Sequence, residues 1–139
     1  MGDVADDEGL YRVVRKDACK VIDDVPRLSS TAFNDKARKP STDRARLRNS
    51  ANESQKEPTD GIALLITQEV RAVCIPFPDP TPNGPKEYLV DVWARPENEN
   101  PAHAQIEGAP EFITDARFKK LKEALVLLAE QHEWVIKPT

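Results

Sequence analysis

The chain has 139 residues, 39% of them apolar and 32% charged, with 12 prolines and a formal net charge of −4. That length suits one domain and leaves no room for two independent cores, and no apolar run approaches the roughly 20 residues of a membrane-spanning helix. An acidic total also lacks the broad electrostatic footprint of a general nucleic-acid binder, so nucleic acid stays open as a partner but is not favoured.

Asp3, Asp6, Asp7 and Glu8 give residues 1–9 the character of a flexible acidic lead-in. The basic-then-apolar order of a secretory signal is missing, and Asp6 stands where N-myristoylation at Gly2 would want Ser or Thr. A cytoplasmic protein without a membrane anchor is the expectation, with residues 10–139 forming a single α+β domain. Residues 10–14 (LYRVV) read as a strand. Residues 17–22 read as a short helix or turn that Val25-Pro26 ends. Residues 34–60 are polar, with Leu47 the exception among them, which predicts a long loop; a loop of that length is functional or mobile.

The charge is segregated: residues 25–58 carry eight basic and four acidic groups, a net +4 band between flanks of −3 and −5. Arg27, Lys36, Arg38, Lys39, Arg44, Arg46 and Arg48 are interleaved there with Ser29, Ser30, Thr31, Ser41, Thr42 and Ser50. Guanidinium forks and hydroxyls both donate to phosphate oxygens, so the band suits a phosphate-bearing ligand. The plainer alternative is a solvated loop, or one folded back on the protein's own acidic flanks.

Beyond Asp60, Ile62, Leu65, Ile66, Val70 and Val73 recur at helical spacing, which predicts a helix; the competing reading is a strand over residues 62–66 followed by a turn. The stretch PFPDPTPNGP, residues 76–85, holds five prolines and predicts a turn-rich connector. Residues 88–93 (YLVDVW) and 104–106 are strand candidates. The C-terminal helix has the firmest local signals: Thr114 as N-cap, Asp115 complementing the dipole, and Ile113 with Phe118 as a hydrophobic staple. Phe118, Leu121, Leu125 and Leu128 form its apolar stripe, whose burial contributes on the order of 6–12 kcal/mol before entropy. Residues 134–136 are expected to return to the sheet as a strand. The fold class expected is α+β, with a short mixed or antiparallel sheet, an amphipathic C-terminal helix and long polar loops.

No phosphate-binding glycine loop, HExxH, CxxC or GxSxG is present, so no cofactor or metal is expected. Cys19 and Cys74, 55 positions apart, read as reduced, small core fillers. Two polar constellations remain: Arg27, Ser29, Ser30 and Phe33 running on to Ser41, Asp43 and Arg44, and Asn100, Pro101 and His103. His103 lies at a turn-to-strand junction, placed for general-base work or phosphate donation, against the plainer reading of an ordinary half-buried imidazole. His132 suits a helix C-terminus, Ser29-Ser30 a cap or turn, and Asp43-Arg44 a local ion pair.

The succession LYRVV, RLSSTAF, STDRARL, DGIALL, ENENPAHAQIEG and EWVIKP resembles a group of small uncharacterised bacterial proteins with Arg-x-Ser-Ser-x-Ala-Phe, Ser-x-Asp-Arg-Ala and Asn-Pro-Ala-His-Ala patterns. The likeness runs from Leu10 onward and departs at the proline-rich insert. It implies that Arg27, Ser29, Ser30, Asp43, Arg44 and His103 belong to one set. The expectation is a binding or accessory protein that recognises a phosphate-bearing ligand, or a protein partner within a multi-protein bacterial system, through those residues. A second reading is enzymatic: LYRV followed by paired serines resembles toxin-like ADP-ribosyltransferases acting on NAD, with Arg12, Ser29, Ser30 and His103 in the corresponding places but no glutamate motif after them. A third is an antitoxin or immunity subunit contacting its partner through an acidic surface and Trp93 or Trp134.

Overall fold

The computed structural model describes residues 2–76, 87–109 and 114–139. Its strands are β1 (Gly9–Val14), β2 (Cys19–Ile22), β3 (Val25–Leu28), β4 (Ser41–Arg44), β5 (Gly61–Ile66), β6 (Cys74–Pro76), β7 (Glu87–Ala94) and β8 (His103–Ala109). Helix α1 (Thr67–Arg71) follows β5, and α2 (Asp115–Glu130) follows β8. Six strands build one antiparallel sheet in the order β5-β1-β4-β8-β7-β6, while β2 and β3 pair as a separate hairpin. The fold is α+β.

Helix α2 organises the core. Thr114 caps it, its Oγ1 accepting the Arg117 N–H at 3.3 Å. Phe118, Leu121, Leu125 and Ala129 recur at three- and four-residue intervals, so one stripe is buried. It joins a core that includes Leu10, Val14, Ala63, Leu65, Val92, Ala104 and Ile106 of the sheet and Phe33 of the β3–β4 connection. Alternation puts the intervening residues of β4 and β8, namely Ser41, Asp43, His103 and Gln105, on the opposite face. The Ile113 half of the expected staple, and residues 77–85 of the connector, lie outside the described residues.

Several expectations are corrected. Residues 61–66 are a strand rather than the start of a helix, pairing with β1 along their whole length. Their apolar run is nearly continuous because β5 is covered on both faces, and a short continuous run satisfies helical spacing by accident. Only Thr67–Arg71 is helical. The polar segment 34–60 is not one loop: STDR forms β4 inside the sheet, followed by 3₁₀ turns at Ala45–Leu47 and Ala51–Ser54, the latter closed by a Ser50–Glu53 capping box. Of residues 17–22, expected as a short helix or turn, Asp17 and Ala18 close a 3₁₀ turn begun at Lys16, but residues 19–22 are β2, joined to β3 through Asp23 and Asp24 at φ 52° and 64°, the left-handed pair a tight hairpin needs.

The N-terminal residues pack back onto the sheet. Val4 is 1% exposed, the Gly2 N–H donates to Asp91 at 2.5 Å, and the Ala5 N–H donates to Glu8 at 2.7 Å. Cys74 is exposed on the edge strand β6 rather than in the core, Cys19 is half-buried, and no disulfide joins them. His132 pairs with Glu69 of α1 at 2.7 Å instead of capping α2. The C-terminal segment meets the sheet by a single bridge, Ile136 to Ile62, and Trp134 donates its indole N–H to the Pro26 carbonyl at 2.9 Å. No described helix is long and apolar enough to cross a membrane.

Candidate functional site

The six predicted site residues do not converge. Arg27, on β3, pairs with Glu130 near the end of α2 at 3.2 Å. The Ser29 hydroxyl closes a local turn, accepting the Thr31 N–H at 3.2 Å and lying 2.7 Å from the Thr31 hydroxyl. Arg44 grips Glu8 through two bonds, Nε to Oε1 at 2.8 Å and Nη2 to Oε2 at 3.0 Å. Its partner is therefore the chain's own N-terminal segment. Burial pushes the Glu8 carboxyl up, but Arg44, the Ala5 N–H and Arg46 together outweigh that and hold it below the ordinary carboxylate range.

Asp43 and His103 do meet, as register partners on β4 and β8. Asp43 is 7% exposed and accepts from Ser54 Oγ at 2.6 Å, Asn100 Nδ2 at 2.8 Å and Arg48 Nη2 at 2.9 Å. Burial raises its carboxyl, yet those three donors pull it below the ordinary value. Asn100 also turns its own chain, its Oδ1 accepting the Ala102 N–H at 3.2 Å. The network staples the 45–54 turns and the 97–102 turn to the sheet, which accounts for Asp43 and Asn100 without ligand chemistry.

β4 is only four residues long, so β1 and β8 outrun it and a gap opens beside Ser41. Arg12 spans the gap: Nε donates to the Ala32 carbonyl at 3.0 Å, Nη1 to the Ser41 carbonyl at 2.8 Å, and Nη2 to Asp35 at 2.6 Å. The guanidinium lies 5.1 Å from the centre of the Phe33 ring. Asp35 returns to accept the Ser41 N–H at 2.8 Å. The arginine that the ADP-ribosyltransferase likeness would direct at NAD is thus engaged with the β3–β4 connection. A cleft of about 860 Å³ opens over this clamp, with Tyr11, Ser41, Asp43, Lys56, His103 and Gln105 among its walls.

On the other side of residues 31–35 lies a groove of about 530 Å³ between that segment and the first turns of α2. Ser30, Lys36, Arg38, Lys119 and Lys122 line it, with Asp115 and Glu123. Arg38 pairs with Asp115. Lys122 donates to Asn34 Oδ1 at 3.0 Å and lies 4.8 Å from the Phe118 ring centre. Lys36 and Lys119 make no ion pair among the described residues. Lys36 and Lys119 stand 83 positions apart in sequence, and only the packing of α2 against residues 31–35 brings both to one groove.

Among the described residues no group of three or more His, Cys, Asp or Glu side chains is placed to hold a metal ion. No family model matches the chain, and neither a curated protein nor a solved structure matches it.

Proposed function

We propose that the protein is a binding module for a small phosphate-bearing ligand, held in the groove between residues 30–38 and α2. The observation that supports this is that Lys36, Lys119 and Lys122 line one groove together with Ser30. After the Arg38–Asp115 pair and Asp35, which Arg12 holds, are set aside, the lining keeps three lysines and one carboxylate, Glu123. Ammonium groups and hydroxyls are donors only or donors by rotation, which matches the acceptor-only surface of a phosphate. The basic band is thus retained as the recognition element, with Lys36 and Ser30 in place of Arg27 and Arg44, whose guanidiniums are paired within the protein.

Calorimetric titration with pyrophosphate and with AMP tests it. Binding should weaken as salt rises, the double variant Lys36→Ala/Lys119→Ala should lose about tenfold or more in affinity, and Arg27→Ala should leave it unchanged. Binding indifferent to salt, or equal in the double variant, overturns the reading.

A protein-binding role rests on a different observation. Val21, 70% exposed, and the cross-strand pair Ile22 and Val25 leave apolar side chains exposed at the turn end of the β2–β3 hairpin. A partner docking there loses binding to Ile22→Asp and keeps it with the lysine variant. Binding that survives Ile22→Asp removes this role.

A further inference from the structure

We propose that Ser41 and His103 form a nucleophile and general-base pair that hydrolyses a small polar carboxylic ester bound in the cleft over β1, β4 and β8. The pair is independent of the lysine groove. Ser41 Oγ lies 3.2 Å from His103 Nε2, and His103 Nδ1 lies 2.8 Å from the Arg95 carbonyl. A carbonyl only accepts, so Nδ1 carries the ring proton and Nε2 presents its lone pair to the serine hydroxyl. That is the orientation in which an imidazole takes a proton from a serine, with a backbone carbonyl in the orienting role usually filled by a carboxylate. The ring is 12% exposed, so its orientation is set by packing as well as by this bond.

The nucleophile sits on a rigid element. Arg12 holds the Ser41 carbonyl and Asp35 holds the Ser41 N–H, so both backbone groups of the residue are fixed by one ion pair. Gln105 is the register partner of Ser41 on β8 and lines the same cleft, and its amide makes no hydrogen bond among the described residues. Its Nε2–H₂ is the donor available to an oxyanion developing beside Ser41. Arg15 and Lys56 line the cleft together with Asp17 and Glu97, so its walls carry both signs of charge, which suits a polar ester. The cleft volume is within the range of small-molecule sites.

In the reaction, Ser41 Oγ forms a bond to the ester carbonyl carbon while its proton passes to His103 Nε2. The carbon–alkoxy bond then breaks, and the departing alcohol takes that proton. A water molecule repeats the sequence on the acyl-serine: its proton goes to Nε2, its oxygen bonds the acyl carbon, and Ser41 recovers the proton as the acid leaves. The electron pairs balance with water as the sole co-reactant.

The test uses an alkyl fluorophosphonate followed by peptide mapping, with p-nitrophenyl acetate hydrolysis as a second readout. Wild-type protein should gain one adduct, on Ser41, and Ser41→Ala should gain none while keeping the wild-type melting temperature. His103→Ala should slow labelling about 100-fold or more, the usual contribution of a general base. Gln105→Ala should lower kcat and leave KM near its original value. A serine hydroxyl that merely satisfies a half-buried histidine gives no adduct. No label on Ser41 of the wild-type protein, a label on Ser29, Ser50 or Ser54 instead, or equal labelling in His103→Ala overturns the proposal.

Discussion

Replacing Asp43 by Ala removes the one acceptor shared by Ser54, Arg48 and Asn100. The Arg48 side chain is 16% exposed and its Nε is already buried without a partner among the described residues. Without Asp43 its charge keeps a single side-chain acceptor, Asn100 Oδ1 at 3.0 Å. Removing one member of a buried ion pair costs about 3–5 kcal/mol, because the remaining charge stays desolvated. At roughly 3 °C per kcal/mol for a chain of this length, the melting temperature should fall by about 9–15 °C. Urea unfolding followed by tryptophan fluorescence at neutral pH, in a cycle with Arg48→Ala, measures it. The double variant should be less destabilised than the sum of the singles by about 1 kcal/mol or more. A loss under about 1 kcal/mol, or plain additivity, would refute the view that this network holds the 45–54 turns on the sheet. Acid adds a check with a defined sign. The folded Asp43 carboxyl titrates below its unfolded value, so its contribution is complete above about pH 4 and is lost as pH falls through the lower, folded value. The gap between wild type and Asp43→Ala should therefore be constant near neutrality and close in acid.

Arg44→Ala should destabilise the fold by about 3–5 kcal/mol in the same urea assay and leave pyrophosphate affinity unchanged, since it strands the buried Glu8 carboxylate; a stable variant with weakened binding would contradict the assignment of Arg44 to the fold. Gly2→Ala should lower the melting temperature measurably, because a Cβ there presses into the Val92 carbonyl, whose carbon would lie 2.8 Å away. An unchanged melting temperature would mean that the N-terminal segment is not anchored as described. Leu125→Ala, at a fully buried position of α2, should cost about 2–5 kcal/mol, and a smaller loss by chemical denaturation would place the organising contacts of the core elsewhere.

Local chemistry made α2 legible: its cap and its stripe depend on neighbours three or four residues away, and the structure keeps the cap and buries Phe118, Leu121 and Leu125, while Leu128 is half-buried and Ala129 completes the buried face. The strands at residues 10–14, 88–93 and 104–106 were legible for a similar reason, their β-rich composition. β4 was not. A strand of Ser, Thr, Asp and Arg has no apolar pattern to announce it, and what makes it a strand is β1 and β8 supplying hydrogen bonds on either side. β5 was ambiguous because a run covered on both faces erases the two-residue period that separates strand from helix.

The polar residue types that matter were visible in the sequence, but their partnerships were not. Arg44 looked available for an anion until residues 2–8 packed back and delivered Glu8 to it. Ser41 and His103 stand 62 positions apart, and only the antiparallel register of β4 on β8 brings hydroxyl and imidazole within hydrogen-bonding reach. Composition and periodicity settled the class of fold and its main helix, because those follow from which side chains avoid water along a short span. Which charges were consumed in holding the protein together, and which were left facing a cleft, depended on sheet register and chain return, and these exist only once distant segments have packed.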